Sequence, residues 1–176
     1  MKLTPVLFID LDGTLRRPTK GEFVEAFDDQ ELIPGAKEML EAYRRRGFKI
    51  CVVTNQGGVA HGFKTPVSFQ KEFLYFVNLL KPVKVDYMKA CFHHPDGTVQ
   101  PYCTRSIFRK PATGMIAMLE VELYNDGFVV DYPNSLMVGD RPEDEGLAKN
   151  AGVHFLSAEE WLKPHPITLK IRKWCT

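Results

Sequence analysis

Asp10 and Asp12 stand two residues apart where an apolar run ends, in the stretch VLFIDLDGTLRR. Thr54 and Asn55 close a second apolar run, Lys110 precedes a helical pattern, and Asp140 and Asp144 follow a third run, SLMVGD. If these run ends share one edge, several carboxylates meet and repel, and the usual compensation is a bound cation together with a lysine. Oxygen ligands with little sulfur select Mg²⁺, which binds through one or two carboxylates plus a substrate phosphate. Phosphoryl chemistry follows. A carboxylate beside a metal and a phosphate can attack phosphorus and form an aspartyl-phosphate, and Asp10, fixed at a strand terminus, is the candidate nucleophile. Asp12 can return toward the same pocket once the chain turns at Gly13, giving a proton to the leaving oxygen and later taking one from water. The Thr54 hydroxyl and nearby backbone N–H groups can hold phosphoryl oxygens, while Lys110 stabilises their charge in the transition state.

These residues need elements to carry them. Apolar β-rich runs alternate with helical patterns along the chain, the mark of an α/β fold with a central parallel sheet flanked by helices. Residues 6–9 read as a buried strand. Ala36, Met39, Leu40 and Tyr43 recur at helical spacing after Pro34, and FKICVVTNQ reads as a second strand. Thr65 and Pro66 open a helix with Phe69, Phe73, Phe76, Val77 and Leu80 on one face. A strand is expected through roughly 85–91 and helices at GMIAMLEVEL and near 143–150, the latter closed by Gly152. VHFL is a short strand, and Ser157 to Glu160 fits a capping box for a last small helix. In an open α/β sheet the carboxyl ends of the strands share one edge, where ligands bind.

The chain has 176 residues, which suits one domain, 1–176, with the tail 164–176 at the periphery. Hydrophobic residues make up 44% and charged residues 26%, which excludes a wholly disordered chain. A formal charge of +1 calls for neither nucleic acid nor a membrane, and no apolar run is long enough to span a bilayer. Cys51, Cys91, Cys103 and Cys175 are scattered rather than arranged as a disulfide framework, and no secretory signal precedes them. A reducing cytoplasm and a monomeric protein are the expectation.

DLDGT, the strand-ending Thr54, Lys110 and GDRPED resemble, in order, the four signature motifs of the haloacid dehalogenase (HAD) superfamily of phosphatases. The resemblance runs from residue 6 to about residue 156. It implies a Rossmann-like HAD fold with Asp10 as nucleophile, Asp12 as general acid/base, and Thr54 and Lys110 as phosphate holders. Asp140 then binds the metal beside Asp10 and the Asp12 main-chain carbonyl, and Asp144 supports Lys110 or a metal-bound water. VVTNQGGVAHG, CFHHPDG and FRKPATGM are similar to a subgroup with little or no cap: heptose bisphosphate phosphatases, histidinol-phosphate phosphatases and polynucleotide 3′-phosphatases. Only about 55 residues separate the second and third motifs, so a minimal cap or none is expected.

Asn55 and Arg109 are candidate substrate contacts, and Arg16, Arg17, His61 and Arg141 also lie near the catalytic rim in sequence terms. Some subgroup members hold a structural zinc with a Cys-x-His pair and a Cys-x-Cys pair. Cys91 and His93 match the first half, whereas the second pair falls on Ser106 and Phe108, leaving Cys103 nearby. Three ligands are one short of a closed zinc site. The substrate expected first is a small phosphorylated metabolite, such as a sugar (bis)phosphate or histidinol phosphate, because CFHHPDG resembles the heptose enzymes. The alternative is a nucleic-acid 3′ end, which an open site admits. A third reading, a non-catalytic phosphate-binding module, sits poorly with intact Asp10 and Asp12. In the tail, Ile167, Leu169 and Trp174 are expected to pack on the body with Lys170, Arg172 and Lys173 outside.

Overall fold

Every residue of Val6–Ile9 is buried, and a strand buried on both faces requires helical cover on each side. The computed structural model describes residues 1–165 and 167 and shows that arrangement. Strand β1 (Lys2–Thr4) leads into β2 (Val6–Ile9), followed by a short antiparallel pair, β3 (Arg16–Arg17) and β4 (Glu31–Leu32). Helix α1 (Ala36–Arg45), β5 (Lys49–Asn55), α2 (Pro66–Leu80) and β6 (Tyr87–Cys91) come next. The second half holds α3 (Gly114–Asn125), β7 (Phe128–Val130), β8 (Leu136–Gly139), α4 (Pro142–Ala151), β9 (His154–Ser157) and α5 (Ala158–Leu162).

Five strands form one sheet in the order β6-β5-β2-β8-β9, and every pairing in it is parallel. Alternation along the strands divides the core in two. Leu7 and Ile9 of β2 and Ile50 and Val52 of β5 pack with Leu40 of α1, Phe69 and Phe76 of α2 and Trp161 of α5. Val6, Phe8, Cys51 and Val53 face the other way, onto Met115, Leu119 and Leu123 of α3 and Leu147 of α4. This is a Rossmann-like sheet, parallel and covered on both faces, as the resemblance implies.

The helix signals read from the chain operate where expected. Thr65 accepts a hydrogen bond from Ser68 N at 3.0 Å, and Ser68 Oγ accepts from Thr65 N at 2.9 Å, so α2 starts in a reciprocal cap. Gly152, at φ 72°, closes α4 in the left-handed conformation that glycine adopts freely. Ser157 caps α5 through Glu160 N at 3.2 Å. Two features have no periodic signal, because they are only two or three residues long. These are the β3–β4 pair and a separate parallel pair in which Lys2–Thr4 runs beside Phe128–Val130. One residue contradicts the apolar face of α2: Glu72 is buried beside Phe69 and Phe76. Ile167 packs partly buried against the core, while the rest of the expected tail packing, at residues 168–176, lies outside the described residues. No helix among the described residues is long and apolar enough to cross a membrane.

Candidate active site

The chain leaves β2 toward β5 and β6 on one side of the sheet and later returns to build β8 and β9 on the other. β2 and β8 therefore flank the point where strand order reverses, and ligands bind outside the carboxyl ends there. Asp10 directly follows β2, and its amide donates to Val138 O of β8 at 2.9 Å, which locks the residue to the sheet. Asp140 follows β8, and Asp144 lies in the first turn of α4.

Asp10, Asp140 and Asp144 each present an oxygen within 4.8 Å of the others'. Two glycines make this approach feasible. Gly13, at φ 81°, turns the chain so closely past Asp140 that a Cβ there would collide with its carboxylate, and a Cβ on Gly139 would collide with Asp144. Lys110 enters the same cluster from across the sheet. Its Nζ lies 2.5 Å from Asp10 Oδ1 and 2.6 Å from Asp144 Oδ1, and it donates to Val53 O at 3.0 Å.

Burial pushes the Asp10 carboxyl up to about 7, against the pull of Lys110 and with further push from Asp144 and Asp12. Burial also raises Asp140, which Arg141 partly opposes. For Lys110, burial alone would lower the ammonium, but the carboxylates of Asp10 and Asp144 outweigh it and hold the lysine above its ordinary value. Two carboxylates around one ammonium, with a third alongside, leave an excess of negative charge that a divalent cation would neutralise. Asp144 Oδ1 is a buried acceptor at the centre of the cluster, 2.6 Å from the Lys110 ammonium, and Oδ2 accepts from Arg141 N at 3.0 Å. An all-oxygen set with such an acceptor fits Mg²⁺.

The remaining candidates fall into three groups. Asp12 lies beside the cluster with both carboxylate oxygens held: Oδ1 accepts from Arg16 Nε at 2.7 Å and Oδ2 from Gln56 Nε2 at 2.6 Å. Thr54 is buried, and its hydroxyl accepts from the same Gln56 Nε2 at 2.9 Å. Asn55 grips the Lys110 backbone, its Oδ1 accepting from Lys110 N at 3.0 Å and its Nδ2 donating to Lys110 O at 3.3 Å. Arg109 donates to His93 O at 3.2 Å and stands near His94, whose ring is 4.8 Å from that of His61. Burial, Arg109 and His61 all depress the His94 imidazole.

Cys91, His93 and Cys103 do not converge. Cys91 Sγ is 4.0 Å from the main-chain oxygen of His93, the His93 ring sits against Tyr102, and Cys103 is a free thiol. Among the described residues, the group of three or more able to hold one ion is the aspartate cluster. Arg16 is a correction of another kind. It is fully buried and surrounded by protein groups, so it cannot greet a substrate at the rim. Gln56, Glu72 and Gln30 were not singled out from the sequence, and only Gln56 carried a signal, as the third residue of TNQ.

A family model described as polynucleotide kinase 3 phosphatase matches residues 5–162. The chain belongs to this phosphatase family of the HAD superfamily. The phosphatase is 32% identical over 159 residues to the D-glycero-beta-D-manno-heptose-1,7-bisphosphate 7-phosphatase of Escherichia coli K12, covering 88% of this chain and 80% of that one. The corresponding Yersinia pestis enzyme is 33% identical over 156 residues, covering 86% and 79%. A crystal structure of a chain described as a HAD-like phosphatase from Mesorhizobium loti superposes with a TM-score of 0.75 at 30% identity, covering 87% of this chain and 71% of that one. The D,D-heptose 1,7-bisphosphate phosphatase of B. bronchiseptica, solved with magnesium and phosphate, superposes with a TM-score of 0.69 at 25% identity, covering 88% and 79%. The phosphatase is thus a hydrolase of the aspartyl-phosphate type, and its aspartate cluster offers the oxygen ligands that suit Mg²⁺.

Proposed function

We propose that the phosphatase removes a phosphate from a small sugar bisphosphate, with Asp10 as nucleophile and Asp12 as proton donor and acceptor. The observation that carries the chemistry is the convergence of Asp10, Asp140 and Asp144 on one point beside the Lys110 ammonium. Likeness to heptose-1,7-bisphosphate 7-phosphatases over 88% of the chain supports the substrate class.

Asp10, Asp140 and Asp144, with the Asp12 main-chain carbonyl, would hold Mg²⁺, which when bound offsets the mutual repulsion of carboxylate and phosphate. Asp10, anchored by its amide to β8, presents its carboxylate at the strand end and attacks phosphorus. As that bond forms and the ester P–O bond breaks, Asp12 passes a proton to the departing sugar oxygen. Lys110 and the Thr54 hydroxyl hold the phosphoryl oxygens, and Asn55, through the Lys110 backbone, keeps the ammonium in register. Asp12 then accepts a proton from the water that cleaves the aspartyl-phosphate, returning Asp10 free and releasing phosphate. Arg109 and His94, near Gly57 at the rim, meet the part of the substrate that does not react.

A second reading, hydrolysis of a nucleic-acid 3′-phosphate, draws on the description of the matched family model. Release of phosphate from a heptose bisphosphate, histidinol phosphate and a 3′-phosphorylated oligonucleotide, each with Mg²⁺, separates the readings. The heptose bisphosphate is expected to have the highest kcat/KM. Faster turnover of the oligonucleotide would replace the first reading with the second.

A further inference from the structure

Arg16 carries a full charge at a position with no solvent exposure, and all three of its donor nitrogens are engaged. Nε donates to Asp12 Oδ1 at 2.7 Å, Nη1 to Gln30 Oε1 at 2.8 Å and Nη2 to Glu72 Oε2 at 3.0 Å. Glu72 projects from the otherwise apolar face of α2 and is 2% exposed. It also accepts from Lys64 Nζ at 3.0 and 2.9 Å. Gln30 completes the enclosure, its Nε2 donating to the main-chain oxygens of Phe27 and Glu72. Two cations and two carboxylates balance within this cluster, and an unpaired member of it would be costly to bury.

The cluster ends on the active site rather than in the core. Asp12 is the one member whose side chain is 44% exposed, and its second oxygen accepts from Gln56 Nε2, which also donates to Thr54 Oγ1. A half-exposed aspartate without such partners would sample several rotamers. Here both oxygens are held.

We propose that Glu72 is a positioning residue for the reaction: by pinning Arg16 inside the fold it fixes the orientation of the Asp12 carboxylate. This rests on the reading of Asp12 as general acid. In the step concerned, the proton leaves the Asp12 carboxyl for the leaving oxygen while that oxygen's bond to phosphorus breaks and the Asp10–phosphorus bond forms. Displacing a reacting group by about 1 Å can cost roughly a hundredfold in rate.

The test compares kcat/KM for an alkyl phosphate, whose leaving oxygen needs a proton, with that for p-nitrophenyl phosphate, whose leaving group departs as an anion. Both values report on the steps up to phosphoenzyme formation. Glu72→Gln is expected to lower kcat/KM on the alkyl phosphate by about ten- to a hundredfold and on p-nitrophenyl phosphate by less than about threefold. Arg16→Met combined with Glu72→Met removes the ion pair in favour of apolar packing, a change folds often tolerate, and should show the same selectivity. Equal losses on both substrates, or no loss, in either folded variant would overturn the proposal. Asp12→Asn is the reference arm. A selective loss there with none at Glu72 refutes only the role of Glu72, whereas an unselective loss at Asp12 refutes the general-acid reading itself.

Discussion

Lys110 and Asp10 are one hundred positions apart in sequence and in contact in the structure, with Nζ 2.5 Å from Oδ1 and both side chains buried. Removing the ammonium would leave the Asp10 and Asp144 carboxylates facing each other without compensation. Lys110→Met is therefore expected to lower kcat by about 10²–10³-fold, the usual cost of deleting a donor to the transition-state oxyanion. Without Mg²⁺ it should also destabilise the fold, by roughly 3–5 kcal/mol if the orphaned charges stay buried. Steady-state kinetics and chemical denaturation in EDTA measure the two effects.

Asp10 makes stability depend on pH in a direction opposite to that of most carboxylates. Its carboxyl stands at about 7 in the fold against an ordinary 3.8, so between those values the folded state holds a proton that the unfolded state has lost. Stability of the metal-free protein is therefore greatest below about 4, on this group's account, and declines until about 7. The raised Lys110 acts at the other end, its contribution being intact below the ordinary lysine range and lost only as pH rises above it. Denaturation midpoints in EDTA from pH 4 to 8 should fall less steeply in Asp10→Asn than in the parent; identical slopes would remove Asp10 as the cause.

Mg²⁺ should raise the melting temperature, because it binds the folded state and not the unfolded one. Since its ligands must be ionised, and burial raises both Asp10 and Asp140, the shift is expected to be larger at pH 7.5 than at pH 5.5. Asp140→Asn should abolish most of the shift while leaving the metal-free protein folded. A full Mg²⁺ response in that variant would exclude Asp140 as a ligand.

Asn55 was expected at the substrate, yet its amide is occupied on both sides by the Lys110 peptide. Asn55→Ala should then lower kcat on the order of ten- to a hundredfold by loosening Lys110, with KM little changed. A dominant rise in KM would instead place Asn55 against the substrate.

The parallel sheet was legible because β2, β5 and β8 each leave a continuous apolar run that ends abruptly in polar residues, and helices α2, α4 and α5 leave caps at Thr65, Gly152 and Ser157. The pairing of Lys2–Thr4 with Phe128–Val130 was not, since three residues are too few to show a period. Spacing and motif order place Asp10, Asp12, Lys110 and Asp140 at element ends, and the structure brings Asp10, Lys110 and Asp140 together, whereas Arg16, expected near the rim, is buried.

The sequence by itself determined which elements form and which carboxylates and lysine stand at their ends, because periodicity and turn chemistry are local and strand ends fall on one edge. Only the tertiary structure decided how those groups stand relative to one another. Asp144 joins Asp10 and Asp140, and Asp12 is held by Arg16 and Gln56, because hydrogen bonds between residues as distant as Arg16 and Glu72 depend on packing across elements, which no local pattern records.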